Sequence, residues 1–294
     1  MSDAATPAAG AAPALIDVAG QPALRLQSPD GASATVLLHG GQLLSWATPD
    51  GREQIYLSDR AVFADGTAVR GGVPVIFPQF GPQGPLPRHG FARDRRWQVL
   101  QQHTGRDDAM AVLGLADSEA TRALWPHPFE LELTLRVSGN RLDMELAVIN
   151  TGEAPLSFAA ALHTYLRVKQ ASNCTLTGLH RLRYIDQARG TEQIDNREEV
   201  QPEGELDRIY FNARRPVMLE DGNRHLMVHS EGFTDVVTWN PGAEKCAQLS
   251  DMPPDGWRHM LCVEAAVIGT PVQLPAGEEW VGRQSLVVES PGGA

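Results

Sequence analysis

"LELTLRVSGNRLDMELAVIN", residues 131–150, alternates apolar and polar side chains on both sides of a Ser138-Gly139-Asn140 break. Leu131, Leu133, Leu135 and Val137 share one parity, with Glu132, Thr134 and Arg136 between them. Leu142, Met144, Leu146 and Val148 then resume the pattern. A period of two puts every apolar side chain on one face of an extended chain, so the stretch reads as a β-hairpin with one buried face.

Short apolar runs of the same kind recur at "ATVLLHG", "LSFAAALHTYLRV", "RHLMVHS", "DVVTWN", "HMLCVEAAV" and "QSLVVE", with Gly, Pro and Asn-Asp punctuation between them. No amphipathic helical period is sustained over several turns, no fixed-period repeat appears, and no shift in composition divides the chain. The expected fold is therefore all-β: one large antiparallel domain over about 15–290, a sandwich or distorted barrel. Two sandwiches in tandem are the alternative, and no linker-like segment supports them. Residues 1–14, rich in Ala and Pro, are expected to form a mobile tail. Residues 1–20 lack the basic region and long apolar run of a signal peptide or membrane anchor; a cytoplasmic location is expected from the three cysteines, read as reduced thiols.

The formal net charge of −11 argues against broad binding to nucleic acid or an anionic membrane, both of which need an extended basic surface. The three cysteines, Cys174, Cys246 and Cys262, have neither a disulfide framework nor zinc-ligand spacing, and read as reduced, buried thiols. There is no Walker A loop, nucleophile elbow or dinucleotide fingerprint, and no spaced acidic cluster for calcium or magnesium; no cofactor or metal is implied. His225 and His229 lie four apart, but in a strand-like segment that spacing does not make a metal pair.

Two ionisable residues sit where a strand should be apolar. Glu264 shares a face with Met260 and Cys262, while Leu261, Val263 and Ala265 point the other way, so both faces of its strand look buried. Desolvation would raise its pKa and make it a proton acceptor near neutral pH. His163 shares a face with Ala161 and Tyr165, among small residues that leave room beside the imidazole. The plainer alternatives, a Glu paired with a structural arginine and a core histidine with its hydrogen bonds satisfied, stay open at this point.

"LPRHGFARDRRW", residues 86–97, concentrates Arg88, His89, Arg93, Arg95 and Arg96 in this acidic chain. Arg70 precedes Gly71-Gly72, where glycines would let backbone approach a ligand closely. Arg70, Arg88 and Arg93 can together grip a phosphate in bidentate geometry, against the alternative that each is a solvated surface charge. Arg95 and Arg96 are read as solvated.

"RGGVPVIFPQFGP", "HGFARDRRW", "WPHPFELEL", "LHTYLRV", "DRIY", "TWNP" and "CVEAAV" occur in this order over roughly residues 20 to 288. In that order and spacing the chain resembles the glucose-6-phosphate 1-epimerase (hexose-6-phosphate mutarotase) branch of the aldose 1-epimerase family. The resemblance implies a large antiparallel β-supersandwich of the galactose mutarotase-like kind and a monomer. It places the family's catalytic histidine on His163 and its glutamate on Glu264. It places sugar-phosphate contacts on Arg70, Arg88 and Arg93, and a sugar contact on Asp207. Arg88 stands where the family pattern carries Gln, so that contact departs from the pattern. His89 is expected to be structural, with a place in the pocket lining as the alternative. The implied partner is a small-molecule hexose 6-phosphate, D-glucose 6-phosphate above all. The implied reaction is interconversion of its α and β anomers, with Glu264 as base and His163 as acid. The competing readings are an epimerase of unphosphorylated aldoses and a non-catalytic sugar-phosphate-binding protein.

Overall fold

The computed structural model describes residues 14–289; of the expected tail, residues 1–13 lie outside the described residues. The hairpin forms as its pattern dictates, from strands Glu130–Ser138 and Arg141–Ile149, with Leu133 opposite Leu146 and Ser138 opposite Arg141. The eight apolar side chains of its inner face are all buried to within 1 %. Each contributes about 1.5–3 kcal/mol relative to an exposed position. Gly139, in the two-residue turn, has φ +55°, a left-handed conformation that glycine adopts without a Cβ clash.

Twenty strands are present among the described residues, with two α-helices, Glu119–Leu124 and Gly242–Cys246. The strands form one four-stranded and two eight-stranded sheets. The hairpin lies in one eight-stranded sheet, which runs from Thr175–Thr177 through Val217–Asp221, Arg224–Glu231 and Glu279–Glu289 to the hairpin, and ends on Ala109–Ala116 and Gln98–Thr104. The other runs Thr191–Ile194, Arg183–Asp186, Leu206–Tyr210, Asp235–Asn240, Met260–Leu274, Leu156–Leu162, Val75–Ile76, with the short strand Tyr165–Arg167 also pairing Met260–Leu274. Strand pairing in both is antiparallel. The architecture is the antiparallel β-supersandwich that the sequence led us to expect.

The core that joins the sheets draws on Leu162, Leu261, Val263 and Ala265 from one eight-stranded sheet and on Leu133, Met144 and Leu286 from the other. The opposite face of the first of these sheets is buried too. Ala161 and Ala266 pack there with Ile209 and Val237, and Tyr165, Met260 and Cys262 pack with Tyr56 and Met252. A strand apolar on both faces is thus explained by cover on both sides, and Glu264 lies on the face turned to that second, outer layer, with Met260, Cys262 and Ala266. The three cysteines are free and buried.

Candidate active site

Leu162 pairs with Ala265 and Tyr165 with Cys262. The same register carried between them sets His163 directly opposite Glu264. The ladder loses one bond there, because Thr164 N–H turns back to the Leu162 carbonyl (2.9 Å); on the other side of the strand His163 N–H donates to the Pro74 carbonyl (3.0 Å) and Tyr165 N–H to that of Gly72 (3.0 Å). His163 Nδ1 lies 3.2 Å from Glu264 Oε1. The approach is within ion-pair range but off the hydrogen-bond direction, because Nδ1 and Glu264 Oε2 are both buried with no hydrogen-bond partner among the described residues. Leaving buried polar atoms unpaired costs about 1–3 kcal/mol each, so this is a pair kept for something other than stability. Tyr165 stacks on the imidazole, ring centroids 4.8 Å apart and 9° from parallel. The rings of His89 and Trp239 meet it edge-on, each at 6.0 Å.

In this surrounding neither partner favours its charged form. Burial pushes the Glu264 carboxyl well above its ordinary value, and nearby Asp207 adds to the rise. Burial likewise drives His163 well below its own, with further repulsion from His89, Arg70 and Arg93. Burial thus favours the uncharged form of each partner, a protonated Glu264 carboxyl beside a neutral imidazole.

Beside the pair opens a pocket of about 510 Å³, lined by all six residues singled out from the sequence: Arg70, Arg88, Arg93, His163, Asp207 and Glu264. Its volume is in the range of small-ligand sites. The arginines are not alike. Arg70 is tied from both sides, its Nε to Asp251 Oδ2 at 3.2 Å and its Nη1 to the Tyr165 hydroxyl at 3.0 Å. Arg93 donates Nη2 to the Arg88 carbonyl at 2.8 Å, and its buried Nε, without a hydrogen bond, lies 3.9 Å from Asp94 Oδ1; burial pulls its pKa down. Arg88 is exposed. Asp207, on strand Leu206–Tyr210, accepts from Gln187 Nε2 at 2.8 Å and lies 3.9 Å from Lys245 Nζ.

Two expectations need correction. Gly71 and Gly72 are needed against protein, not ligand: a Cβ at Gly71 would come within 2.6 Å of the Tyr56 carbonyl oxygen, and one at Gly72 within 2.2 Å of that of Leu43. Arg95 is half-buried, with its Nε enclosed and unpartnered, whereas Arg96 is exposed as expected. His89 holds the structural place expected of it and, as the alternative had it, lines the pocket. Its backbone is left-handed (φ +69°), its Nδ1 accepts from Gly81 N–H at 3.3 Å, and its ring lines the pocket. Burial first, then Arg93, Arg88 and Arg70, push its pKa down to about 3, so it stays neutral.

Tyr165, Gln187, Trp239, Lys245 and Asp251 also line the pocket. Only Tyr165 had a sequence signal, sharing the strand face of His163. Ligand atoms of His163, Cys262 and Glu264 lie within 4.8 Å of one another.

The family described as Aldose 1-epimerase matches residues 22–287. A protein of Cenchrus ciliaris named "Putative glucose-6-phosphate 1-epimerase" is 34% identical over 264 residues, 86% of this chain and 80% of its own. One of the same name from Escherichia coli strain K12 is 36% identical over 243 residues, 79% of each chain. Among solved structures, a "putative mutarotase" from Salmonella typhimurium superposes with a TM-score of 0.87 at 30% identity, covering 94% of this chain and 93% of that one.

Proposed function

The chain belongs to the aldose 1-epimerase family, and we propose that it is an isomerase interconverting the α and β anomers of hexose 6-phosphates, chiefly D-glucose 6-phosphate. The observation that carries this reading is the convergence of a closely apposed acid–base pair, His163 and Glu264, with Arg70, Arg88 and Arg93 in a single pocket. A neutral sugar offers those guanidinium groups no counter-charge; a phosphate dianion does. The names carried by the relatives point the same way.

Mutarotation needs a proton taken from the anomeric hydroxyl and another given to the ring oxygen. The bond from the anomeric carbon to the ring oxygen then breaks and the open aldehyde forms. Rotation about the adjacent carbon–carbon bond presents the other carbonyl face, and closure with the roles reversed gives the other anomer. Each acid–base partner contributes about 10²–10⁴-fold. At rest the proton lies on Glu264. A bound phosphate offsets the Arg70 and Arg93 charges that depress His163 and so raises the imidazole's basicity. The proton then passes to His163, leaving Glu264 as the base and the imidazolium as the acid. Arg88 and Arg93, the less committed cations, grip the phosphate, while Arg70 presents one edge of a guanidinium already fixed by Asp251 and Tyr165. Asp207 receives sugar hydroxyls. No step requires a redox or covalent cofactor.

We further place the enzyme in one catalytic domain over about 15–290, as a monomer in the cytoplasm; a reducing compartment suits three buried free thiols. No helix among the described residues is long and apolar enough to cross a membrane.

Magnetisation-exchange NMR on glucose 6-phosphate and on glucose tests the substrate. The expected result is catalysed exchange at least tenfold faster, per enzyme, for the phosphate ester. Equal rates would overturn the phosphate role and favour an epimerase of free aldoses.

A further inference from the structure

Behind the acid–base pair, on the side of the sheet turned away from the pocket, lies a buried amide that ring opening does not use. Gln284 belongs to strand Glu279–Glu289 of the opposite sheet, across from Met144 and Ser230, and is fully enclosed at 0 % exposure. Its Oε1 accepts from the Thr164 hydroxyl at 2.5 Å, and its Nε2 donates to the Val263 carbonyl at 3.2 Å. Because a carbonyl can only accept, the second contact fixes which end of the amide is nitrogen. Thr164 follows His163, and Val263 precedes Glu264. Val263 N–H also donates to the Thr164 carbonyl at 3.2 Å.

We propose that Gln284 is a positioning residue for the acid–base pair. It fastens the two strands to the opposite sheet from the core side at the step next to His163 and Glu264, and thereby sets their separation. Successive side chains of a strand point to opposite faces, so Thr164 and Val263 look into the core where His163 and Glu264 look into the pocket. Packing alone does not call for an amide here. A Leu would fill this site among Val263, Leu286 and Met144, and a buried amide is costly unless its bonds are made. The position matters most at this step because Thr164 N–H turns back to the Leu162 carbonyl (2.9 Å) and does not cross to the Val263 carbonyl, which Gln284 takes up. The two strands there lack part of the cross-strand bonding that would otherwise hold their spacing. Displacing a catalytic group by about 1 Å can cost on the order of 10²-fold in rate.

This inference rests on the epimerase reading. Its test measures kcat, KM and the pH–rate profile for glucose 6-phosphate with full-length Gln284→Leu, Thr164→Val and Thr164→Ser. The expected result is a kcat lowered about 10- to 100-fold in the first two, a KM within about twofold of wild type and displaced pH limbs; Thr164→Ser, which keeps the hydroxyl, regains wild-type kcat. Unchanged kcat and pH limbs in folded Gln284→Leu or Thr164→Val would overturn the positioning role, whatever happens to Tm, and so would a KM rising in step with a falling kcat. If Gln284→Leu does not fold, Thr164→Val, which loses one hydroxyl, decides alone. No exchange by the wild-type protein would overturn the epimerase reading itself, whereas full exchange by both variants would remove only Gln284 from the account.

Discussion

His89 shows how the pocket's charge bears on stability. Buried against Phe80 and repelled by three arginines, it stays neutral in the fold, with a pKa pushed down to about 3, while in the unfolded chain it titrates near about 6.5. A folded-state pKa below the unfolded one contributes stability that is present above about pH 6.5 and is lost as the pH falls toward the folded value. The loss is at most about 1.4 kcal/mol per pH unit. His89→Asn keeps a residue suited to the left-handed backbone and removes the titration. Thermal unfolding between about pH 7.5 and 5.5 should show a shallower fall in Tm for this variant than for wild type. Glu264 contributes with the opposite sign, but equally in both proteins. Identical slopes would mean that His89 does not resist protonation.

At the scale of elements, the hairpin makes the clearest commitment. Leu133 faces Leu113 on one side and Leu146 on the other and is fully buried. Leu133→Ala should destabilise the protein by about 2–5 kcal/mol in denaturant titration, and Glu132→Ala, on the other face, by no more than about 0.5 kcal/mol. Equal effects would mean that the hairpin's faces are misassigned. The hairpin was legible because a period of two with one wet face is a local signal. The strand carrying Glu264 was legible for a different reason: an ionisable residue stood out in an apolar run. Partnerships between elements were not legible. Arg70 meets Asp251 across 181 residues and Tyr165 across 95, and nothing periodic marks either contact. Gln284 looked like one more residue of a strand, since its role depends on which sheet it faces.

For the whole molecule, the supersandwich brings an arginine-rich loop, a histidine and a glutamate on neighbouring strands, and an aspartate two strands from the glutamate to one pocket. The motif order named the fold and six of the residues that line the pocket. It did not give the proton inventory, which burial sets, nor the division of the arginines into one committed to Asp251 and two freer ones. The central claim is that the His163–Glu264 pair moves protons on a sugar held by its phosphate. The most direct measurement compares anomer exchange of glucose 6-phosphate, followed by NMR, in wild type and in Glu264→Gln, with ligand binding measured on the same samples by calorimetry. The account predicts a loss of exchange of at least about 10²-fold with glucose 6-phosphate binding retained within a few-fold. Exchange undiminished in Glu264→Gln would contradict it.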